Sequence, residues 1–204
     1  MSNETNETNE NLDTEILRPG AVDASQPEPL TSKVQLPTRA YVCRVKKGEF
    51  KFSSKNNPMI VLVYELCKLT HVKHGQRADC VEVAGKLYTI GGVELRPQYL
   101  TLTKEAVGRL FQLQAKLGVK QEVDLKNPQP TIDALIGKVV NAQCGAKEYI
   151  KRESLTEEQV AAGIKPEEAE PIRYEDGSPV KGYSFELFDV LEASSVTVPV
   201  AGSM

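Results

Sequence analysis

"TRAYVCRVKKGEFKFSSKNNPMIVLVYELCKL", residues 38–69, reads as two β-strands joined by a turn. In 38–52 an extended chain puts Tyr41, Cys43 and Val45 on one side and Val42, Arg44 and Lys46 on the other. Residues 59–69 form a continuous apolar run of strand formers, long enough for a strand covered on both sides. Between them lies Ser-Ser-Lys-Asn-Asn-Pro, whose residue types favour a turn.

The pattern repeats downstream of this pair. Residues 85–102 suggest one bent strand or a hairpin, with Gly91-Gly92 as the kink. Residues 137–151 and 181–192 complete five strand regions. Over 103–117, Thr103 is an N-cap candidate, Val107, Leu110, Phe111 and Leu117 share a side, and Gly118 is the stop. A shorter helical turn spans 131–137, and Thr156 with Gln159 suits a capping box. The expected architecture is mainly β: a five-stranded OB-like barrel with one helix between strands 3 and 4. Other small β-barrels share this element count.

Charge divides the chain more sharply than its formal net charge of -3 suggests. Residues 1–35 carry seven acidic and two basic side chains, with few large apolar ones. They are expected to be a disordered acidic tail, because they cannot bury enough surface to offset chain entropy. Residues 36–150 carry eighteen basic and ten acidic side chains, whereas 151–192 carry five and eleven. The domain is expected over 36–192, with an acidic excursion at 152–180 and a flexible tail at 193–204. A cationic body with anionic appendages points to a polyanionic partner; lysines that merely solvate a surface are the plainer alternative.

The stretch 46–59 sharpens that choice. Lys46, Lys47, Lys51 and Lys55 surround Phe50 and Phe52 just ahead of the most apolar strand. In a five-stranded barrel this loop borders the ligand groove. Single-stranded nucleic acid is held by cations along its phosphates and by ring faces under its bases. Two phenylalanines two apart in a strand are more often core than ligand-facing, which applies most to Phe50.

The segments "RAYVCRVKKGEFKFSSKNNPMIVLVYEL", "LIGKVVNAQCGAKEYI" and "GYSFELFDV" together resemble phage-encoded single-stranded DNA-binding proteins with an OB-fold. The resemblance covers 36–150 and 181–192. It matches Lys51, Ser54, Lys55, Asn57 and Pro58 in the turn, and Gly137 and Lys138 at the entry to the fourth strand. It implies sequence-independent binding of single-stranded DNA in phage replication or recombination, without catalysis, in the host cytoplasm. Partners from the replication or recombination machinery and an oligomer are compatible with it. Many such proteins end in an acidic tail with a terminal aromatic, whereas this chain ends "VTVPVAGSM". Its acidic segments at 1–35 and 152–180 are candidates to occupy the groove instead.

The expected phosphate contacts are Arg44, Lys46, Lys47, Lys51 and Lys55, extended by Lys86, Arg96, Lys138 and Lys147, with Asn57 in the turn. The stacking candidates are Phe52, Tyr64, Tyr88 and Tyr99, although a tyrosine standing alone in a strand usually belongs to the core.

Residues 67–80 hold both histidines and two of the four cysteines. Cys67, His71, His74 and Cys80 offer a donor set that tetrahedral zinc accepts. Their spacing, C-x3-H-x2-H-x5-C, departs from the usual finger patterns. The plainer reading has Cys67 facing the core and the histidines solvated. Cys43 and Cys144 read as small core hydrophobes, and no disulfide framework is expected of four cysteines in a chain of 204 residues.

No phosphate loop, His-Glu-x-x-His or nucleophile motif is present, so a non-enzyme is expected. No apolar run approaches the length of a membrane span. The acidic N-terminus lacks the basic and apolar regions of a secretion signal; with no disulfide framework, a reducing, cytoplasmic setting is the default expectation. A protein–protein or virion structural β-barrel is the competing function, since a strand apolar on both faces also suits a packing subunit.

Overall fold

A computed structural model describes residues 26–72, 74 and 76–194. The predicted strand pair is its spine. β1 is Glu28–Pro29, β2 is Arg39–Phe52 and β3 is Pro58–Leu69. The turn between β2 and β3 is closed by Ser53: its N–H donates to the Asn57 carbonyl at 2.9 Å, and its carbonyl accepts from Asn56 N–H at 2.8 Å. Its Oγ also accepts from Asn57 N–H at 3.0 Å. Asn56 adopts φ 59°, a left-handed conformation that asparagine tolerates better than most residues.

Downstream come β4 (Cys80–Val83), β5 (Lys86–Thr89), β6 (Gln98–Thr101), α1 (Gly108–Lys116) and α2 (Gln129–Leu135). β7 (Val139–Ile150), α3 (Glu157–Ala161) and β8 (Lys181–Ala193) complete the chain. A five-stranded antiparallel sheet has the order β6-β3-β2-β7-β8, and a smaller one has the order β1-β5-β4. No ladder joins β6 to β8, so the large sheet is not a closed barrel. Its edges nevertheless meet: the Arg96 N–H, just ahead of β6, donates to the Phe185 carbonyl of β8 at 2.6 Å.

The sequence reading therefore needs three corrections. Residues 85–102 do not form one strand or hairpin; they divide between β5 and β6, which lie in different sheets. Two helices, not one, lie between β6 and β7; α3, by contrast, follows β7 at the capping box the sequence offered. Residues 26–35, expected in a disordered tail, include β1, which pairs in parallel with β5; Leu36 next to them is buried in the core. The remainder of that tail, 1–25, and residues 195–204 lie outside the described residues.

A bulge in β2 makes the curl. Val45 faces Tyr64 and Lys47 faces Val63, leaving Lys46 as the extra residue. Its neighbour Val45 is held from outside the sheet: the Val45 N–H donates to Lys138 at 2.9 Å, and the Val45 carbonyl accepts from Gly137 at 2.8 Å. A bulge shifts the side-chain alternation by one residue. Tyr41, Cys43 and Val45 point into the core before it, and Gly48 and Phe50 do so after it. α2 packs against this stretch closely enough that a Cβ on Gly48 would stand 2.7 Å from Ile132 Cγ2.

The core within the curl contains Tyr41, Ile60, Leu62, Tyr64, Leu110 and Ile132; the small sheet adds Val81 and Tyr88, and Ile90 follows just after β5. Each fully buried aliphatic side chain contributes roughly 1.5–3 kcal/mol. α1 turns Leu110 and Leu113 inward but leaves Phe111 exposed, against expectation. Gly118, at φ +62°, ends the helical stretch as its sequence suggested. Among the described residues no helix is long and apolar enough to cross a membrane.

Candidate nucleic-acid interface

The outer face of β2, β3 and β6 is set by register. Tyr99 stands opposite Val61, which stands opposite Glu49; in the adjoining row Thr101, Met59 and Lys51 are aligned. Lys47 lies opposite Val63. Two strand spacings, about 10 Å, separate the β6 and β2 positions of a row. Tyr99 is 55% exposed, so its ring presents a free surface on the same side as Lys47 and Lys51. At the end of this face, the turn of residues 53–57 carries exposed Lys55, and Phe52 beside it is 58% exposed. The Phe52 ring meets Phe50 edge-on, with centroids 5.1 Å apart. Phe50 is anchored against the core while Phe52 projects.

Carboxylates interleave the cations. Buried Glu65 accepts from Arg44 Nε at 2.7 Å and also pairs with Arg44 Nη2. Lys46 Nζ reaches Glu65 at 3.4 Å and Glu94 at 2.9 Å. Lys47 lies 3.8 Å from Glu94, and Lys51 lies 2.7 Å from Glu49. The hydrogen bond from Lys46 depresses the Glu94 carboxyl below its ordinary range, and the same bond raises the Lys46 ammonium.

Several expected contacts change status. Arg44 is mostly enclosed beside Glu65, so it organises the face rather than reaching outward. Tyr64 is fully buried and donates to Gln98 Oε1 at 2.9 Å. Burial also holds its hydroxyl protonated well above the usual phenol range. Tyr88 is buried as well. Neither ring has a face for a base. Lys86 belongs to the small sheet and pairs with Glu28 at 3.0 Å. Lys138 is exposed at the junction of α2 and β7, and Asn57 is half-buried in its turn.

Arg96 and Lys147 converge elsewhere. Both pair with Glu186, at 3.0 and 3.9 Å. With Tyr99 they line a recess of about 330 Å³ at the meeting of the sheet edges. Tyr99 also lines an adjoining recess of about 300 Å³ under α1, with Arg109, Leu113, Lys116 and Phe188. The two recesses form a furrow along the unpaired seam. Arg109, Lys116 and Phe188 are absent from the sequence-based set. Arg109, Gln112 and Lys116 follow a helical i, i+3, i+7 spacing that marks one polar stripe. Phe188 had no such signal, because it is the extra residue of a bulge between Cys144–Leu187 and Gln143–Asp189.

The four zinc candidates are not drawn together. Among the described residues no three His, Cys, Asp or Glu side chains are grouped to hold a metal. Cys67 Sγ turns to the Glu65 carbonyl at 3.8 Å, and Cys80 Sγ to Asp79 Oδ1 at 3.5 Å. Desolvation raises both thiols above their ordinary range. His71 and His74 are exposed. Cys43 and Cys144 are buried core residues with Sγ atoms 3.5 Å apart, in keeping with the sequence reading.

The chain matches no family model and no curated protein in sequence.

Proposed function

We propose that the curled sheet is an OB-like barrel and that the protein binds single-stranded DNA without sequence preference or catalysis. In chain order its five long-sheet strands lie 3-2-1-4-5, and helices fall between the third and fourth. Both features suit the OB topology. One observation carries the functional reading: the exposed Tyr99 ring shares an outer face with Lys47 and Lys51, beside a turn bearing Phe52 and Lys55. A base stacks on Tyr99 while the backbone follows the lysines, an arrangement that tolerates any sequence. The resemblance to phage single-stranded DNA-binding proteins is what supports a role in phage replication or recombination, and with it a host-cytoplasmic setting.

The test is titration of fluorescently labelled oligothymidine at two salt concentrations. Tight binding that weakens steeply with salt is expected, with a slope of roughly 0.7 per phosphate contact. An absence of binding at low salt, together with a stable oligomer, would favour the competing structural role.

A further inference from the structure

The acidic excursion does not fold back onto the body. Its strands extend the β7–β8 hairpin through bridges Arg152–Pro171 and Arg173–Pro179. Arg152 donates to the Ala169 carbonyl at 2.6 Å, and the Thr156–Gln159 capping box starts α3. Among the described residues, every hydrogen bond from 152–180 ends within this arm or on neighbouring Lys151. The arm bears eight Asp/Glu against three Lys/Arg. None of the eight forms an ion pair with a described residue.

At the turn of the second limb, Tyr174 N–H donates to the Ser178 carbonyl at 2.8 Å, and Asp176 Oδ1 accepts from Ser178 Oγ at 2.6 Å. Asp176 is thus occupied in shaping the turn. Tyr174 is 58% exposed, and Glu175 beside it is unpaired among the described residues. The furrow under α1 has the opposite character. Its lining is mostly polar: Lys116 is paired with Asp189 at 2.9 Å, Arg109 has no ion pair among the described residues, and Tyr99 and Phe188 add exposed ring surface. Its volume of about 300 Å³ leaves room for one aromatic ring.

We propose that the Tyr174–Glu175 tip of one copy docks in the Tyr99–Phe188–Arg109 furrow of a second copy. The phenol ring enters beside the Tyr99 and Phe188 rings, and Glu175 meets Arg109. Charge selects this partner: Glu175 and Arg109 both lack an ion pair among the described residues, whereas Lys116 is already matched by Asp189. The contact is head-to-tail, joining different surfaces of the two copies, so it generates a chain or a ring. It does not depend on the DNA reading.

Sedimentation velocity of the full chain, without DNA, tests this at about 50 mM and about 500 mM salt, a range over which screening differs strongly. Concentration-dependent assembly is expected at low salt and should weaken at high salt. Arg109→Glu, or Tyr174→Ala with Glu175→Gln, should each weaken assembly by at least about tenfold. Mixing the two variants is decisive. Arg109→Glu retains an intact tip and the other an intact furrow, so together they should form a one-to-one dimer and stop there. A monomer at every concentration overturns the proposal, as does a mixture that fails to pair. It is equally overturned if Arg109→Glu assembles like the parent while losing oligothymidine affinity, since the furrow would then belong to the strand.

Discussion

Arg44 and Glu65 occupy directly opposed positions on β2 and β3, and the guanidinium covers a carboxylate that is only 5% exposed. A charge this enclosed is tolerable only with its partners. Arg44→Met should therefore destabilise the fold by about 3 kcal/mol, the low end for breaking a buried pair. Lys46 remains near Glu65 and softens the loss. Arg44→Met with Glu65→Leu should recover most of it, because two apolar side chains replace both charges. Urea denaturation measures these changes. The salt slope of oligothymidine binding should remain that of the parent; a shallower slope would return Arg44 to the set of phosphate contacts.

Tyr99 and Tyr64 make the complementary pair. Tyr99→Ala should weaken oligothymidine binding by about 1–3 kcal/mol and leave the unfolding midpoint nearly unchanged. Tyr64→Phe should leave binding unchanged but cost roughly 1 kcal/mol of stability by removing the hydrogen bond to Gln98. Equal binding by Tyr99→Ala and the parent would remove the ring from the interface.

Gly48 tests the bulge. Gly48→Ala places a methyl 2.7 Å from Ile132 Cγ2 and 3.0 Å from Leu62 Cδ2. Such overpacking costs about 1–3 kcal/mol. Adding Ile132→Val removes Cδ1 but keeps the clashing Cγ2, so it should restore little of the loss. Thermal unfolding that leaves Gly48→Ala as stable as the parent would show that α2 yields.

What was legible in the sequence follows from local physics. The β2–β3 pair, its turn, the glycine after α1 and the α3 capping box were all written in short-range patterns of polarity and turn chemistry. The parity of residues 48–52 was not, because the bulge at Lys46 is imposed by contacts with Gly137 and Lys138, some ninety residues away. Tyr64, Tyr88 and Tyr99 look alike as lone strand aromatics, and only the way the sheet curls separates buried rings from an exposed one. The pairing of Lys46 and Lys47 with Glu94 was equally hidden, since it joins β2 to the segment leading into β6.

That pairing gives the face a dependence on pH. Hydrogen bonding from Lys46 lowers the Glu94 pKa, so the folded carboxylate is favoured over the unfolded one. Its contribution to stability is present above the unfolded-state pKa and is lost as pH falls through the lower folded value. Lys46 is shifted upward, so its contribution holds below its ordinary ammonium range and disappears only at strongly alkaline pH. Both groups therefore favour folding across neutral pH. Protonating Glu94 also releases Lys47 to phosphates and leaves Lys46 with Glu65 alone. Acidification through the Glu94 transition should thus reduce stability while tightening oligothymidine binding. Glu94→Gln should reproduce the tighter binding at neutral pH and remove this part of the acid response. NMR titration of the Glu94 carboxyl carbon locates the transition, and Lys46→Met should move it back toward the ordinary carboxylate range. If Glu94→Gln binds no more tightly than the parent at neutral pH, Lys47 does not face the strand, and the outer face loses that cation from its border.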